Sequence, residues 1–355
     1  MSIEIDDKIK KAIILSIKDD FKDEDYQILD DVLDKIKKQD EYKVVELLFE
    51  KEGYEIVLKN REYRRGFCSR LLFEYHEPIV QFEIIIEFCL SIFKDFEYPK
   101  ETYPKTCKVL NGIVARGVLI TNEILCLIKN GFASGALARW RTLYEYSVIA
   151  VFIAKFGEDV AERYLAYEDI ANFSHAETYN NYVEELGFEK IEEQEFAYLK
   201  SLSDKAKLKY PQFNNQEYSW ALPEIRQPSF KALAEATDIN YFRPFYRFSC
   251  NYNHGGIKGL FYDLGQLNGL DEQNSYMLAS TNIGFIDPAQ LTMQSLINIV
   301  AALISTNPNI TNLINIVQLR EKAEKATEAF VKVDKDIKDR ELGRFDEDIF
   351  SLNTH

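Results

Sequence analysis

Apolar residues recur at the three-and-four spacing through almost the whole of this 355-residue chain, and little interrupts them. Only 15 glycines and 9 prolines are present, among many Leu, Ile, Lys and Glu. Few breakers and strong helix formers favour helices over a turn-rich β architecture, so the expectation is an all-α, multi-helix bundle. Hydrophobic residues at 46% and charged residues at 28% are enough for a large core.

The spacing divides the chain. Ile28-Leu29, Val32-Leu33 and Ile36 form a stripe near the start, and a basic stretch, Lys59 to Arg70, leads into Leu71-Leu72-Phe73. Pro78 suits the first turn of a helix reaching about Phe96. Tyr98-Pro99 and Tyr103-Pro104 bracket a break. Helices are then expected up to Asn130-Gly131, from Ser134 to Phe156 with Gly157 as stop, over 158–185, and over 189–209. From Tyr210 to Pro228, three prolines and a cluster of amides predict an irregular loop, a kind of segment that often carries function. Helices resume over Ser229–Thr237, Pro244–His254, Ala289–Ser305, and from Asn309 to about Asp339. Three regions follow: 1–98, 99–267 and 268–355.

The N-terminus is charged from residue four and does not read as a signal peptide. Pro288–Leu319 is uncharged and long, but its amides and the break at Thr306-Asn307-Pro308-Asn309 suit a buried helix pair better than a membrane span. Cys68, Cys89, Cys107, Cys126 and Cys250 stand alone in apolar contexts and read as buried, reduced thiols of a cytoplasmic protein with no membrane attachment. A net charge of −15 disfavours passive binding along a nucleic-acid backbone but leaves room for a locally basic site.

Three constellations could carry chemistry. In Tyr246-Arg247-Phe-Ser-Cys-Asn251-Tyr-Asn253-His254, positions 247, 251 and 254 return to nearly one azimuth, a polar row roughly 10 Å long on a helix. A guanidinium can grip a phosphate while an imidazole moves a proton near neutrality. The bland alternative is that Arg247 pairs with a carboxylate and His254 caps its helix before Gly255-Gly256. In Ala138-Arg139-Trp140-Arg141-Thr-Leu-Tyr-Glu145, Glu145 is the only charge between Leu143 and Ala154 and needs a cation. Arg141, four residues away, is the local choice, with Arg139 or Arg247 as others; phosphate binding is the rival role for the arginines. The third is Glu162-Arg163-Tyr164 through Asp169, with His175 further on. It lacks the Glu-x-x-His spacing of a helical-bundle metal site, so no metal or other cofactor is expected. Nucleotide-binding glycine loops, His-Glu-x-x-His and Gly-x-Ser-x-Gly are absent from the sequence.

The string Ala138 to Glu145, then Glu162-Arg-Tyr-Leu165, then Tyr246-Arg-Phe-Ser249 with His254 resembles a bacterial family catalogued only as a domain of unknown function. That family's pattern reads ARxRTLxE followed by YRxSxxxxH, and the likeness spans roughly Tyr98 to Leu267. The family in turn looks like a distant relative of the HEPN superfamily, helical domains whose Arg-x4–6-His motif cuts RNA without metal, commonly from a composite site across a dimer. The resemblance implies a HEPN-like core with additional N- and C-terminal helices. It also implies RNA as substrate, a homodimer, and a toxin or antiphage setting with a partner or antitoxin. Arg247 and His254 match the motif, with Asn251 between them; Arg139, Arg141, Glu145 and Arg163 would support or bind phosphate. Phe248 stands where HEPN nucleases often carry a polar residue. A helical module that senses a nucleotide or a partner protein is the competing reading.

Overall fold

The computed structural model describes residues 38, 40–99, 101–214, 216–254, 257–265 and 279–352. Among these it contains eleven α-helices and no strand. In chain order they are α1 (Asp40–Glu74), α2 (His76–Asp95), α3 (Pro104–Lys129), α4 (Ala133–Phe156), α5 (Glu158–Leu186) and α6 (Glu193–Lys209). There follow α7 (Phe230–Glu235), α8 (Arg243–Asn253), α9 (Ile257–Phe261), α10 (Ile286–Ile304) and α11 (Ile310–Leu352). The stripe from Ile28 to Ile36 lies outside the described residues. The chain forms two compact units, residues 1–67 with 182–189, and residues 68–181 with 190–355.

In the first unit, α1 up to Phe67 carries its apolar and charged residues mixed around its circumference and is mostly exposed, as a helix without a single apolar stripe must be. The end of α5 closes with Gly187 at φ 67°, and the Phe188 N–H returns to the Val183 carbonyl at 2.9 Å. This left-handed cap explains why α6 starts later than residue 189.

The second unit is built around α3, α4 and α10, which pack on one another; α2 and α11 cover α10, and α7 and α8 lie on α4. From Pro288 to its end α10 carries no charge, and nearly every side chain is buried. Trp140 of α4, fully buried, donates its indole N–H to the Leu291 carbonyl and the Ser295 hydroxyl of α10, both at 3.0 Å. At Gly117 the three helices leave little room for a side chain: a Cβ there would stand 2.9 Å from Ile299 Cδ1, 3.6 Å from Leu143 Cδ1 and 3.8 Å from Leu296 Cδ1. By length and composition α3 is the one described helix able to cross a membrane, and half of its most apolar window is buried.

Helix ends are closed from a distance. Pro104 opens α3, and Glu158, in the first turn of α5, accepts from the backbone N–H of Lys105 (2.9 Å) and Thr106 (3.0 Å) and from the Thr106 hydroxyl (2.9 Å). One turn on, Glu162 takes the ammonium groups of Lys105 and Lys209 (2.5 Å for the latter) and the Tyr210 hydroxyl (2.7 Å). These donors hold its carboxyl down to about 2. The loop from Tyr210 to Pro228 is irregular, as its prolines predict, but it is pinned. Trp220 is buried against Phe152 and Tyr164, at 5.8 and 4.8 Å between ring centroids. Burial of the cysteines holds only for Cys89 and Cys107; Cys68 and Cys250 are half-buried and Cys126 is exposed, all of them free thiols.

Gly117→Ala should stay within about 1 kcal/mol of the parent, since helix propensity offsets a contact that one Ile methyl can relieve. Gly117→Val should lose about 1–3 kcal/mol in urea unfolding, because its methyls overpack Leu143 and Leu296 as well. Glu162 binds fewer protons folded than unfolded between its ordinary value of 4.5 and about 2. Stability should therefore fall as pH drops through that window, and Glu162→Gln should flatten the dependence in acid titrations followed by circular dichroism.

Candidate functional site

Helix α8 follows a 3-10 turn, Asn240–Phe242, and has Pro244 in its first turn. Its inner side is set by Tyr246 and the fully buried Ser249. The Tyr246 hydroxyl donates to Glu145 Oε1 at 2.6 Å and accepts from Arg141 Nη2 at 2.5 Å, while Arg141 also contacts Glu145 directly at 3.1 Å. The Arg141 guanidinium lies 4.5 Å from the Tyr246 ring centre. Tyr144 and Phe230 pack on the same ring, at 5.7 and 4.6 Å.

Electrostatics follow from the crowding. Burial pushes the Glu145 carboxyl up, against the lowering effects of Tyr246 and then Arg141. Burial, then the hydrogen bond to Glu145, drives the Tyr246 phenol well above its usual range. For Arg141, burial works against the charge, but Glu145 and Tyr246 outweigh it and the pKa rises. The carboxylate that the sequence shows to need a cation thus has Arg141, and a phenol completes the set.

Arg139 is bound to Glu123. Arg163 is buried, donating from Nε to the Trp220 carbonyl at 3.0 Å and pairing with Glu224 at 2.5 Å, so it anchors the 210–228 loop. Arg139, Arg141 and Arg163 therefore each spend their charge on a carboxylate of the fold.

The outer side of α8 differs. Arg247 and His254 are both exposed, and among the described residues neither has a side-chain hydrogen bond or an ion pair. The helix ends at Asn253, one residue earlier than the spacing predicts. His254 is its cap, with extended backbone (φ −115°, ψ 147°) and its N–H on the Cys250 carbonyl at 3.0 Å. Asn251, half-buried between them, donates its amide to the Phe248 carbonyl one turn back at 2.8 Å, so that donor serves the helix.

A cavity of about 450 Å³ opens beside this row, lined by Phe248, Asn251, Tyr252, Ile257, Lys258 and Tyr262. Phe248 meets Tyr252 and Tyr262 edge-on at 5.6 and 5.7 Å. Behind it, Asp263 accepts from the Ser134 hydroxyl at 2.7 Å, tying the segment after α9 to the first turn of α4. The Tyr252 phenol is pushed above its usual range by burial and then by Asp263. Flat aromatic walls with a lysine at the edge suit a planar, anionic molecule. Among the described residues, no three His, Cys, Asp or Glu side chains come together as a metal-ligand set.

Sequence reasoning gave no role to Tyr246, Tyr252, Lys258 or Tyr262. The available signals were the position of Tyr246 beside Arg247 but about 100° round the helix, and the four-residue spacing of Lys258 and Tyr262.

Residues 108–273 match the sequence model of a family of unknown function (DUF5677). The matched segment runs from the first turns of α3 past α9, and so holds both the α4 cluster and the α8 row. No curated protein and no solved structure matches the chain.

Removing Arg141 leaves Glu145 half-buried with one neutral partner. Arg141→Ala should cost about 2 kcal/mol at neutral pH, and Tyr246→Phe about 1 kcal/mol. Glu145 already has a raised folded-state pKa, and losing Arg141 raises it further. The folded variant then binds more protons than the unfolded chain, so its deficit should shrink as pH falls through that raised value towards 4.5. Urea melts at neutral and mildly acidic pH measure the difference.

Proposed function

We propose that this chain is a metal-independent endoribonuclease whose site is the outer face of α8. The observation that carries the reading is the division among its arginines. Arg139, Arg141 and Arg163 are neutralised by Glu123, Glu145 and Glu224, whereas Arg247 stands exposed and unpaired among the described residues, on the helix that His254 ends.

In this mechanism the His254 imidazole takes the proton of a ribose 2′-hydroxyl. The 2′ oxygen attacks the adjacent phosphorus, and Arg247 stabilises the charge that builds on the phosphoryl oxygens. The bond from phosphorus to the 5′ oxygen breaks, and that oxygen takes a proton from a second imidazole or from water. The products are a 2′,3′-cyclic phosphate and a 5′-hydroxyl. A homodimer would bring two Arg247/His254 pairs to one cleft and supply the second imidazole. The HEPN-like resemblance supports this assembly, a cytoplasmic setting in bacterial defence or growth arrest, and control by an antitoxin or other partner.

A second reading has its own support. Neither Arg247 nor His254 lines the aromatic cavity, which Lys258 and Asn251 do line. A nucleotide held there without cleavage would make the chain a sensing module.

Purified protein incubated with a mixed RNA panel in EDTA should cut. His254→Ala should lower the rate by about 10²–10⁴ and Arg247→Ala by about 10²–10³, with helicity kept because both side chains are exposed. A folded His254→Ala protein that cuts at the parental rate would remove this mechanism. Nucleotide binding without cutting would favour the sensing module.

A further inference from the structure

One turn of α1 carries a charge pattern opposite to that of the chain. Within residues 59–65, Lys59, Arg61, Arg64 and Arg65 stand against one carboxylate, Glu62, in a protein whose net charge is −15. All five side chains are exposed on α1. Arg61, Arg64 and Arg65 are spaced three and four apart and so crowd one face within a single turn, a like-charge arrangement that is unfavourable in an isolated helix. The residues one turn before Arg61 are Val57 and Leu58, and those one turn after Arg64 are Phe67 and Cys68, so neither arginine has a carboxylate in reach along α1. Glu62, three residues before Arg65, is the one helical neighbour of suitable charge. Among the described residues no ion pair joins it to Arg65, and none involves Arg61 or Arg64. Two turns back on the same face, about 10 Å away, Tyr54 is 65% exposed.

We propose that Arg61, Arg64 and Arg65 form a docking surface for the backbone of single-stranded RNA. Three guanidinium forks on one turn match consecutive phosphates, each able to bind bidentately, and an exposed tyrosine along the same face can stack a base. Charge complementarity selects the partner, because a chain of net charge −15 repels polyanions except where cations are concentrated, as on this turn. An anionic membrane fits less well. A surface-lying helix needs one broad apolar face, whereas α1 interleaves Glu50, Glu52 and Glu55 with its apolar residues. The surface lies outside the segment matched by the family model and includes neither Arg247 nor His254, so it would capture RNA rather than cut it. It rests on the reading of this chain as an RNA enzyme.

The test is fluorescence anisotropy of a labelled single-stranded RNA with full-length protein carrying His254→Ala, so that nothing is cut. It is run with and without the triple change Arg61→Ala, Arg64→Ala, Arg65→Ala. The triple variant should bind roughly tenfold or more weakly at about 50 mM salt. The slope of log affinity against log salt should shrink by about 2, the release expected for three phosphates of a single strand. Its thermal midpoint should hold or rise, since like charges have been removed from one turn. Equal affinity and equal slope would overturn the proposal. So would an absence of RNA binding combined with arginine-dependent binding to phosphatidylserine vesicles. Arginine-dependent RNA binding in a wild-type protein that never cuts would sink the ribonuclease reading and keep this surface. Metal-free, His254-dependent cutting with binding indifferent to the arginines would do the reverse.

Discussion

A carboxylate inside an apolar helix governs the arrangement around α4. Glu145 lies in a run that must pack against α3 and α10, and a lone buried carboxylate costs several kcal/mol. Arg141, one turn back, supplies the opposite charge, and the Tyr246 hydroxyl supplies a donor and an acceptor between them. Because Tyr246 comes from α8, this pairing fixes the rotation of α8 on α4. With Tyr246 and Ser249 turned inward, the next positions round the helix must face out, and Arg247 is one of them. The same neutralisation that lets α4 be buried therefore puts a cation with no ion pair among the described residues on the surface.

Much of this architecture was legible in the sequence because it depends on local rules. Gly131 and Gly157 stop α3 and α4 with φ of 84° and 83°, where a side chain would be strained, and Pro104 opens α3. The uncharged, amide-dotted stretch from Pro288 became the buried α10, and the break before Asn309 fell where its proline and asparagines put it. Arg141 as partner of Glu145 followed from a four-residue spacing. What could not be read was whatever depends on distant parts of the chain. The partners of Arg139 and Arg163 are 16 and 61 residues away. Tyr246 reaches Glu145 across 101 positions, and Trp220 makes an irregular loop part of the packing. Periodicity also carries no information about which cysteine faces solvent, and so it misplaced Cys126.

For function, the five arginines of α4, α5 and α8 look alike as letters and differ entirely in their surroundings. Arg139, Arg141, Arg163 and Arg243 pair with carboxylates, and Arg247 alone of the five has no ion pair among the described residues. An acidic protein that handles RNA must concentrate its available cations, because elsewhere its surface repels the ligand. In the proposed reading the exposed arginines of α1 and the outer face of α8 would be two such concentrations, one to hold a strand and the other to act on it.

Whether the outer face of α8 acts on RNA is read most directly from the ends of the RNA it releases. Mass spectrometry of fragments formed by the purified protein in EDTA should find 2′,3′-cyclic phosphates paired with 5′-hydroxyls, the signature of attack by the neighbouring ribose. Fragments ending in 5′-phosphates and 3′-hydroxyls would contradict it, because that outcome requires an external water as nucleophile and leaves His254 without the role assigned to it.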